Sequence, residues 1–173
     1  MSALISESYR EMNRKLHDDN PDYGTSGQYQ AEIIEDYAEH LGLFQVLDYG
    51  CGKQTLKKAL PHMHVTGYDP CISGLDTPPE PHDLVACTDV LEHIEPDHLD
   101  SVLDDLARVV LRIGVFTIHS GPAIKTLSDG RNAHLIQEGM DWWRTRLEKR
   151  FGIIEMQQGK NGFAVIVEPK RDN

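Results

Sequence analysis

Polar and apolar residues repeat along much of the chain with a period that predicts helices. In most of the predicted helices, apolar side chains recur three or four positions apart and so fall on one face. The first predicted helix lies within residues 1–22 and ends near Asp18 to Pro21. The other predicted helices are residues 28–41, 56–60, 96–112 and 142–150. Gly42 suits the end of the second helix, and Pro96 suits the first turn of the fourth.

Short, mostly apolar runs between these helices predict β-strands. The predicted strands are residues 44–49, 64–69, 83–89 and 115–118, then 153–156 and 163–167 around an Asn-Gly turn signal. Strands that alternate with helices indicate a parallel sheet, and two strands joined by a tight turn indicate an antiparallel hairpin. Only about a dozen residues separate the second and third strands, so we expect one flank of the sheet to be shortened.

Three of the predicted strands end in an acid, at Asp48, Asp69 and Asp89. Because the carboxyl ends of parallel strands meet at one edge of a sheet, these acids are expected to point into one crevice. Gly50 and Gly52 follow the first strand and let the backbone approach a ligand closely. We therefore predict a nucleotide-like cofactor. Thr55 stands where a dinucleotide fingerprint needs its third glycine, which disfavours an NAD-dependent oxidoreductase.

Three segments in order, VLDYGCG at 46–52, GYDP at 67–70 and TDVLEH at 88–93, resemble the motifs of class I S-adenosylmethionine-dependent methyltransferases. The resemblance covers residues 43–168. It implies an α/β fold with a Rossmann-like, mostly parallel sheet, flanking helices and a C-terminal antiparallel hairpin. The implied cofactor-binding residues are Asp48, Gly50, Cys51, Gly52, Asp69, Pro70, Thr88, Asp89 and Val90.

The resemblance also implies a role for each part of this cofactor site. Asp48 balances the ammonium group of S-adenosylmethionine, Asp69 accepts the ribose hydroxyls, and residues 88–90 line the sulfonium. Members of the family often carry a third glycine, and this sequence has Lys53 and Gln54 in that neighbourhood. Residues 1–173 are expected to form one methyltransferase domain, in which residues 1–27 are a candidate lid.

The segment from Asp89 to His93 carries the candidate chemistry on the acceptor side. It resembles the E-x-x-E-H segment of metal-dependent small-RNA 2′-O-methyltransferases and of quinone-precursor O-methyltransferases. The implied site for Mg²⁺ or Mn²⁺ consists of Asp89, Glu92, His93 and His134. Two alternatives remain open. Either His93 or His134 acts as a general base without metal, or Glu92 and His93 cap the next helix and His134 bonds loop backbone.

Composition narrows the class of acceptor. A net charge of −11 works against charge-driven binding of nucleic acid, although a local basic groove stays open. No apolar run reaches the roughly 20 residues that a membrane span needs, and three unpaired cysteines suit a cytoplasmic protein. We predict methyl transfer to an oxygen or nitrogen of a small-molecule or nucleotide-like acceptor. The alternative is a non-catalytic module that binds S-adenosylmethionine as a sensor or partner subunit.

Overall fold

The computed structural model describes residues 3–170, so the first two and last three positions of the predicted domain lie outside the described residues. The helices are α1 (Glu7–Asp19), α2 (Ala31–Leu41), α3 (Thr55–Ala59), α4 (Leu99–Val109) and α5 (Met140–Leu147). The strands are β1 (Gln45–Tyr49), β2 (His64–Tyr68), β3 (His82–Thr88), β4 (Val110–His119), β5 (Phe151–Gln158) and β6 (Gly162–Pro169). Short 3₁₀ turns occupy Ser26–Gln30, Leu91–His93 and Pro96–His98.

The six strands form one sheet in the order β2-β1-β3-β4-β6-β5. The pairs β1–β2, β1–β3 and β3–β4 are parallel. The pairs β4–β6 and β5–β6 are antiparallel, as expected for a terminal hairpin. The predicted α/β fold is confirmed. No helix or strand stands between β2 and β3, both within the described residues, so the expected shortening of one flank is also seen.

Each face of the sheet packs against its own group of helices. On one face α4 and α5 bury Leu103 and Trp143 against Phe116 of β4, all with 0% exposure. On the other face Ile34 of α2 and Leu56 of α3 are equally buried. These apolar contacts supply the main stabilisation of the sheet. The strand ends that carry acids are thereby fixed relative to one another.

The predicted boundary between the fourth helix and the fourth strand is wrong. α4 ends at Val109, and β4 begins at Val110, five residues before the predicted strand. Val110 pairs with His82 at the start of β3, so strand pairing extends β4 toward the helix. Arg112, expected near the negative end of the helix, lies in the strand. Tertiary pairing of β-branched residues has overridden the helical period.

The turn after β1 carries three residues in the left-handed region. Gly50 has φ 81°, Gly52 has φ 47° and Gln54 has φ 55°. Gln54 is one of the two residues in the neighbourhood where relatives often have a third glycine. The backbone therefore keeps a left-handed conformation there at a cost of roughly 1–2 kcal/mol for a residue with a Cβ atom.

Substitutions at Gln54 test this strain. We expect Gln54→Gly to change the free energy of unfolding by less than about 1 kcal/mol, because relief of strain offsets the greater chain entropy of glycine. Gln54→Val should lower it by about 1–2 kcal/mol, since β-branched residues tolerate positive φ least. Urea unfolding measures both. Equal stability of the valine and glycine variants would contradict a strained, left-handed backbone at Gln54.

Candidate functional site

A cavity of about 630 Å³ opens at the carboxyl ends of β1, β2 and β3. Its size lies in the range of roughly 300–1,000 Å³ that is usual for small-molecule sites. The nine residues predicted to bind the cofactor all line it: Asp48, Gly50, Cys51, Gly52, Asp69, Pro70, Thr88, Asp89 and Val90. Glu92, His93 and His134 line the same cavity. The structure thus brings all the predicted site residues to one place.

The glycine turn is held against the ends of two other strands. The backbone N–H groups of Gly50 and Cys51 donate to the carbonyl of Tyr68 at distances of 2.7 and 3.0 Å. A Cβ atom on Gly50 would collide with the side chain of Val90, the second residue after β3. Any residue larger than glycine would push these segments apart, so the turn requires glycine here.

Asp69 joins the glycine turn to the loop after β2. Its Oδ2 accepts a hydrogen bond of 3.1 Å from the backbone N–H of Gly52, and its Oδ1 accepts one of 2.9 Å from Cys71. Each carboxylate oxygen still has a second lone pair with which to accept another hydrogen bond. The carboxylate is therefore oriented by backbone and has capacity left for hydroxyl groups of a ligand. Its role toward the ribose stays a prediction.

Asp48 is a buried carboxylate without a partner of its own. It is 3% exposed, and no group within residues 3–170 donates a hydrogen bond to its side chain. Burial, and secondarily the charge of Asp69, raise the pKa of Asp48 to about 7. A cation placed in the cavity would favour the ionised form. An ammonium group is the kind of ligand that suits this position.

Asp89 is directed toward β4 rather than toward the predicted metal site. Its backbone has φ 54°, and its Oδ1 accepts a hydrogen bond of 2.9 Å from the Thr117 hydroxyl. Burial raises the pKa of Asp89 while the bond from Thr117 lowers it. In the described part of the chain, the metal-like grouping contains Glu92, His93 and His134 but not Asp89. Because Asp89 has a left-handed backbone and the 3₁₀ turn begins only at Leu91, Asp89 does not lie on one continuous helix with Glu92 and His93.

Glu92, His93 and His134 each offer a ligand atom, and these atoms lie within 4.8 Å of one another. Glu92 is fully buried, and its Oε1 accepts a hydrogen bond of 2.9 Å from the backbone N–H of His119. Its Oε2 has no hydrogen-bond partner among the described residues. Burial, then the charge of Asp89, raise the pKa of Glu92 to about 8. Because Glu92 Oε2 is buried and unpaired, a proton or a bound cation would stabilise it.

Backbone carbonyls fix the tautomers of both histidines. His93 Nδ1 lies 2.8 Å from the carbonyl of Ala133, and His134 Nδ1 lies 2.6 Å from that of Gly121. Because a carbonyl only accepts, each Nδ1 carries a proton and each Nε2 keeps its lone pair. Burial and neighbouring His134 lower the pKa of His93 to about 3, and burial lowers that of His134.

The alternative in which Glu92 and His93 cap the next helix and His134 bonds loop backbone agrees with the structure only in part. His134 does bond loop backbone, as that alternative required. Glu92 and His93 form their own 3₁₀ turn, and Glu92 bonds the end of β4 rather than capping the next helix. The conclusion is that Glu92 and His93 are held beside the cavity by backbone contacts, where they remain open to a ligand.

One face of α1 lines the cavity, and the sequence patterns above did not predict this. Tyr9, Asn13 and His17 all line the cavity. They are spaced four residues apart, which places them on one face of a helix, and this spacing was the available signal. Tyr23 and Ser26, from the segment expected to form a lid, also line the cavity.

No family model matches the sequence, and a search of curated proteins finds no match. Solved structures do share the fold. The 1,6-didemethyltoxoflavin-N1-methyltransferase of Burkholderia thailandensis, with 1,6-didemethyltoxoflavin and S-adenosylhomocysteine bound, has a TM-score of 0.68. It is 17% identical, and the match covers 99% of this chain and 92% of that one.

Two further structures give a similar result. The N-methyltransferase NodS of Bradyrhizobium japonicum WM9, in complex with S-adenosylhomocysteine, is 16% identical with a TM-score of 0.62. That match covers 96% of this chain and 100% of the other. Magnesium protoporphyrin IX methyltransferase of Synechocystis PCC 6803, with S-adenosylmethionine bound, is 19% identical with a TM-score of 0.56, covering 84% and 79%. The chain has the class I methyltransferase fold that its motifs predicted.

Within residues 3–170, no helix has both the length and the apolar character needed to cross a membrane.

The raised pKa of Asp48 predicts how pH affects the free protein. Below about pH 4 Asp48 is protonated in both states, and above about pH 7 the folded state must hold an unpaired buried charge. We therefore expect Asp48→Asn to increase the free energy of unfolding by roughly 1–4 kcal/mol above pH 7, with little change below pH 4. Urea unfolding across pH 4–8 measures this difference.

Asp83→Asn is the matched control, since Asp83 is exposed at the opposite end of β3. Its effect on unfolding should not vary over the same pH range. A flat pH dependence for Asp48→Asn would contradict the buried, unpaired state of this carboxylate.

Proposed function

We propose that this protein is an S-adenosylmethionine-dependent methyltransferase that modifies an oxygen or nitrogen of a small-molecule acceptor. The observation that carries the proposal is that nine residues assigned to the cofactor line one cavity, together with three residues assigned to the acceptor. The shared fold supports it, since several structures of that fold have S-adenosylhomocysteine or S-adenosylmethionine bound.

The cavity fits the charge and shape of the cofactor. S-adenosylmethionine, when bound, supplies a methyl group on a positively charged sulfur. Asp48 would balance the ammonium group, and Asp69 would accept the ribose hydroxyls with its remaining lone pairs. The backbone of Gly50 and Gly52 lines the cavity and would run along the methionine part, while Thr88, Asp89 and Val90 would lie beside the sulfonium.

The cavity has apolar side chains in its lining and few cations. Ile94, Val102 and Ile124 are among the apolar residues, and Lys125 is the sole lysine or arginine among the described lining residues. A polyanion would need more cationic contacts than this. These features favour a small, largely uncharged acceptor over a nucleic acid. The toxoflavin precursor bound to the Burkholderia relative is a small molecule of that general size class.

His134 is the better candidate for the general base. Its Nε2 keeps a lone pair, and the Nδ1 bond to the Gly121 carbonyl orients the ring. A proton leaving the acceptor nucleophile would pass to this nitrogen. His93, whose pKa is about 3, is a poor proton acceptor near neutral pH and would position the acceptor instead.

The side chains of Glu92, His93 and His134 also suit a divalent metal ion, which would be a second role for this group. Glu92 Oε2 is unpaired, and both imidazoles have an Nδ1–H held by a carbonyl, the usual support of a metal-binding histidine. Two nitrogens and one carboxylate suit Mn²⁺ better than Mg²⁺, which prefers oxygen ligands. A metal here would lower the pKa of an acceptor hydroxyl.

Cofactor binding tests the proposed function. We expect S-adenosylhomocysteine to bind the protein with micromolar affinity in calorimetry, and Asp69→Ala to weaken binding at least tenfold, because two ribose hydrogen bonds and the support of the turn are lost. Asp83→Ala, at the opposite end of the sheet, is the control and should bind like the wild type.

Transfer itself is measured by mass spectrometry on a panel of phenols, heteroaromatic hydroxyls and amines, each incubated with S-adenosylmethionine. Addition of one methyl group to a compound, lost in His134→Ala, supports an enzyme. Binding of S-adenosylhomocysteine without transfer to any compound would favour the non-catalytic module. A folded protein that binds no S-adenosylhomocysteine would overturn both.

Manganese binding separates the two roles of the Glu92, His93 and His134 group. If the group is a metal site, Mn²⁺ titrated into the protein should lose its free-ion electron paramagnetic resonance signal at stoichiometric protein. Glu92→Gln and His134→Ala should each restore the signal, because a ligand is lost. Asp89→Asn is the control, since Asp89 lies outside the group. An unchanged free-ion signal at millimolar Mn²⁺ would leave His134 as the base.

A further inference from the structure

α1 lies over the cofactor end of the cavity and is bonded to the loop that follows β2. Arg10 Nη1 donates to the carbonyl of Pro70 at 2.9 Å, and Arg14 Nε donates to that of Cys71 at 3.3 Å. These carbonyls belong to the two residues after Asp69. Both arginines therefore attach α1 beside the carboxylate predicted to bind the ribose.

Lys53 fixes the other end of α1 to the glycine turn. Its Nζ donates to the carbonyls of His17 and Asn20 at 2.9 and 2.6 Å. These groups lie at the C-terminal end of α1, where carbonyls lack helical partners and a cation is favoured. Lys53 follows Gly52 directly. One of the two residues that replace the family's glycine-rich sequence thus holds α1 against the turn.

The face of α1 turned to the cavity carries polar atoms that lack partners. Tyr9, Asn13 and His17 line the cavity. Asn13 Oδ1 and His17 Nδ1 are enclosed, yet neither has a hydrogen-bond partner in the described part of the chain. A buried polar atom is seldom left unpaired, so two of them on the same face of one helix point to a ligand.

The surroundings of these two side chains identify the part of the ligand that they face. Burial and Asp69 raise the pKa of the Cys71 thiol, while Arg10, Arg14 and a hydrogen bond from the Asn13 side chain lower it, so the Asn13 amide group is held beside Cys71 with its Oδ1 unpaired. His17 lies against Gly24, which in turn contacts Gly52. Burial lowers the pKa of His17, so the ring is neutral and offers hydrogen bonds to uncharged groups. Hydroxyl and ring-nitrogen groups match this chemistry.

We infer that Asn13 and His17 form a binding subsite on α1 for the nucleoside part of S-adenosylmethionine. The subsite lines the same cavity as Asp69, and Lys53 holds α1 in the position that the subsite requires. This inference rests on the proposed function, because it assigns additional contacts to the same cofactor. It makes α1 part of the binding site rather than a helix that only packs against the fold.

Calorimetry of S-adenosylhomocysteine with the full chain tests the subsite. Asn13→Ala and His17→Ala should each weaken binding by about 5- to 10-fold, as expected for one lost hydrogen bond. Glu11→Ala is the matched control, because Glu11 is exposed on the same helix, and should bind like the wild type. Lys53→Met should weaken binding through loss of the attachment of α1.

Hydrogen exchange supplies a readout that does not depend on these substitutions. Addition of S-adenosylhomocysteine to the wild type should slow amide exchange throughout residues 7–19. Wild-type binding with affinities of both alanine variants within twofold, or with unchanged exchange in α1, would overturn the subsite and leave the proposed function intact. A wild type that binds no S-adenosylhomocysteine would overturn the proposed function itself.

Discussion

The cavity depends on a close contact between the backbones of Gly24 and Gly52. A Cβ atom built on Gly52 would lie 2.6 Å from the carbonyl oxygen of Gly24, and the backbone N–H of Lys53 donates to that same oxygen at 2.9 Å. The segment after α1 is therefore pressed directly onto the turn after β1. The segment around Gly24 and the turn after β1 both line the cavity, and they contact each other directly through backbone atoms. The cavity therefore keeps its shape only while both segments remain in place.

A second feature is that the cavity holds two buried carboxyl groups for which the described residues supply no cation. Asp48 and Glu92 are both buried, and burial raises the pKa of each toward or above neutrality. The chain as a whole is acidic, with a net charge of −11. Such an environment lowers the cost of binding a cation and raises the cost of binding a phosphate. A sulfonium cofactor and an uncharged acceptor are the pair that this charge distribution favours.

Features of the fold and site that depend on residues close together in sequence could be predicted. Features that depend on partners distant in sequence could not. Gly50 and Gly52 follow Asp48 closely, and Asp48, Asp69 and Asp89 each stand at the end of a short apolar run. Each of these signals is local, so the sequence alone predicted their convergence at one edge of the sheet. The boundary between α4 and β4 was missed because His82, the residue that pairs with Val110, is distant in sequence. The direction of Asp89 was missed because it depends on a left-handed backbone angle and on Thr117.

The role of α1 was hidden for a related reason. Its amphipathic pattern gave the helix correctly, but Arg10 finds its partner 60 residues away and Ser6 finds Glu95 at a distance of 89 residues. No short motif records such pairs. Lys53 and Gln54, read from the sequence only as a departure from the family, have separate consequences: one side chain bonds the end of α1, and the other residue keeps the left-handed turn.

These separations also determine the order in which the molecule is assembled. α1 precedes in the chain the groups that hold it in place, from Lys53 and Pro70 to Glu95 and the apolar Leu127 and Ala133. Contacts between distant positions pay a large loop-closure entropy and tend to form late. On the ribosome, α1 would complete its contacts only after all the parallel strands have been synthesised. A nascent chain would thus present the carboxyl ends of the strands without α1 fixed over them until translation has passed residue 133.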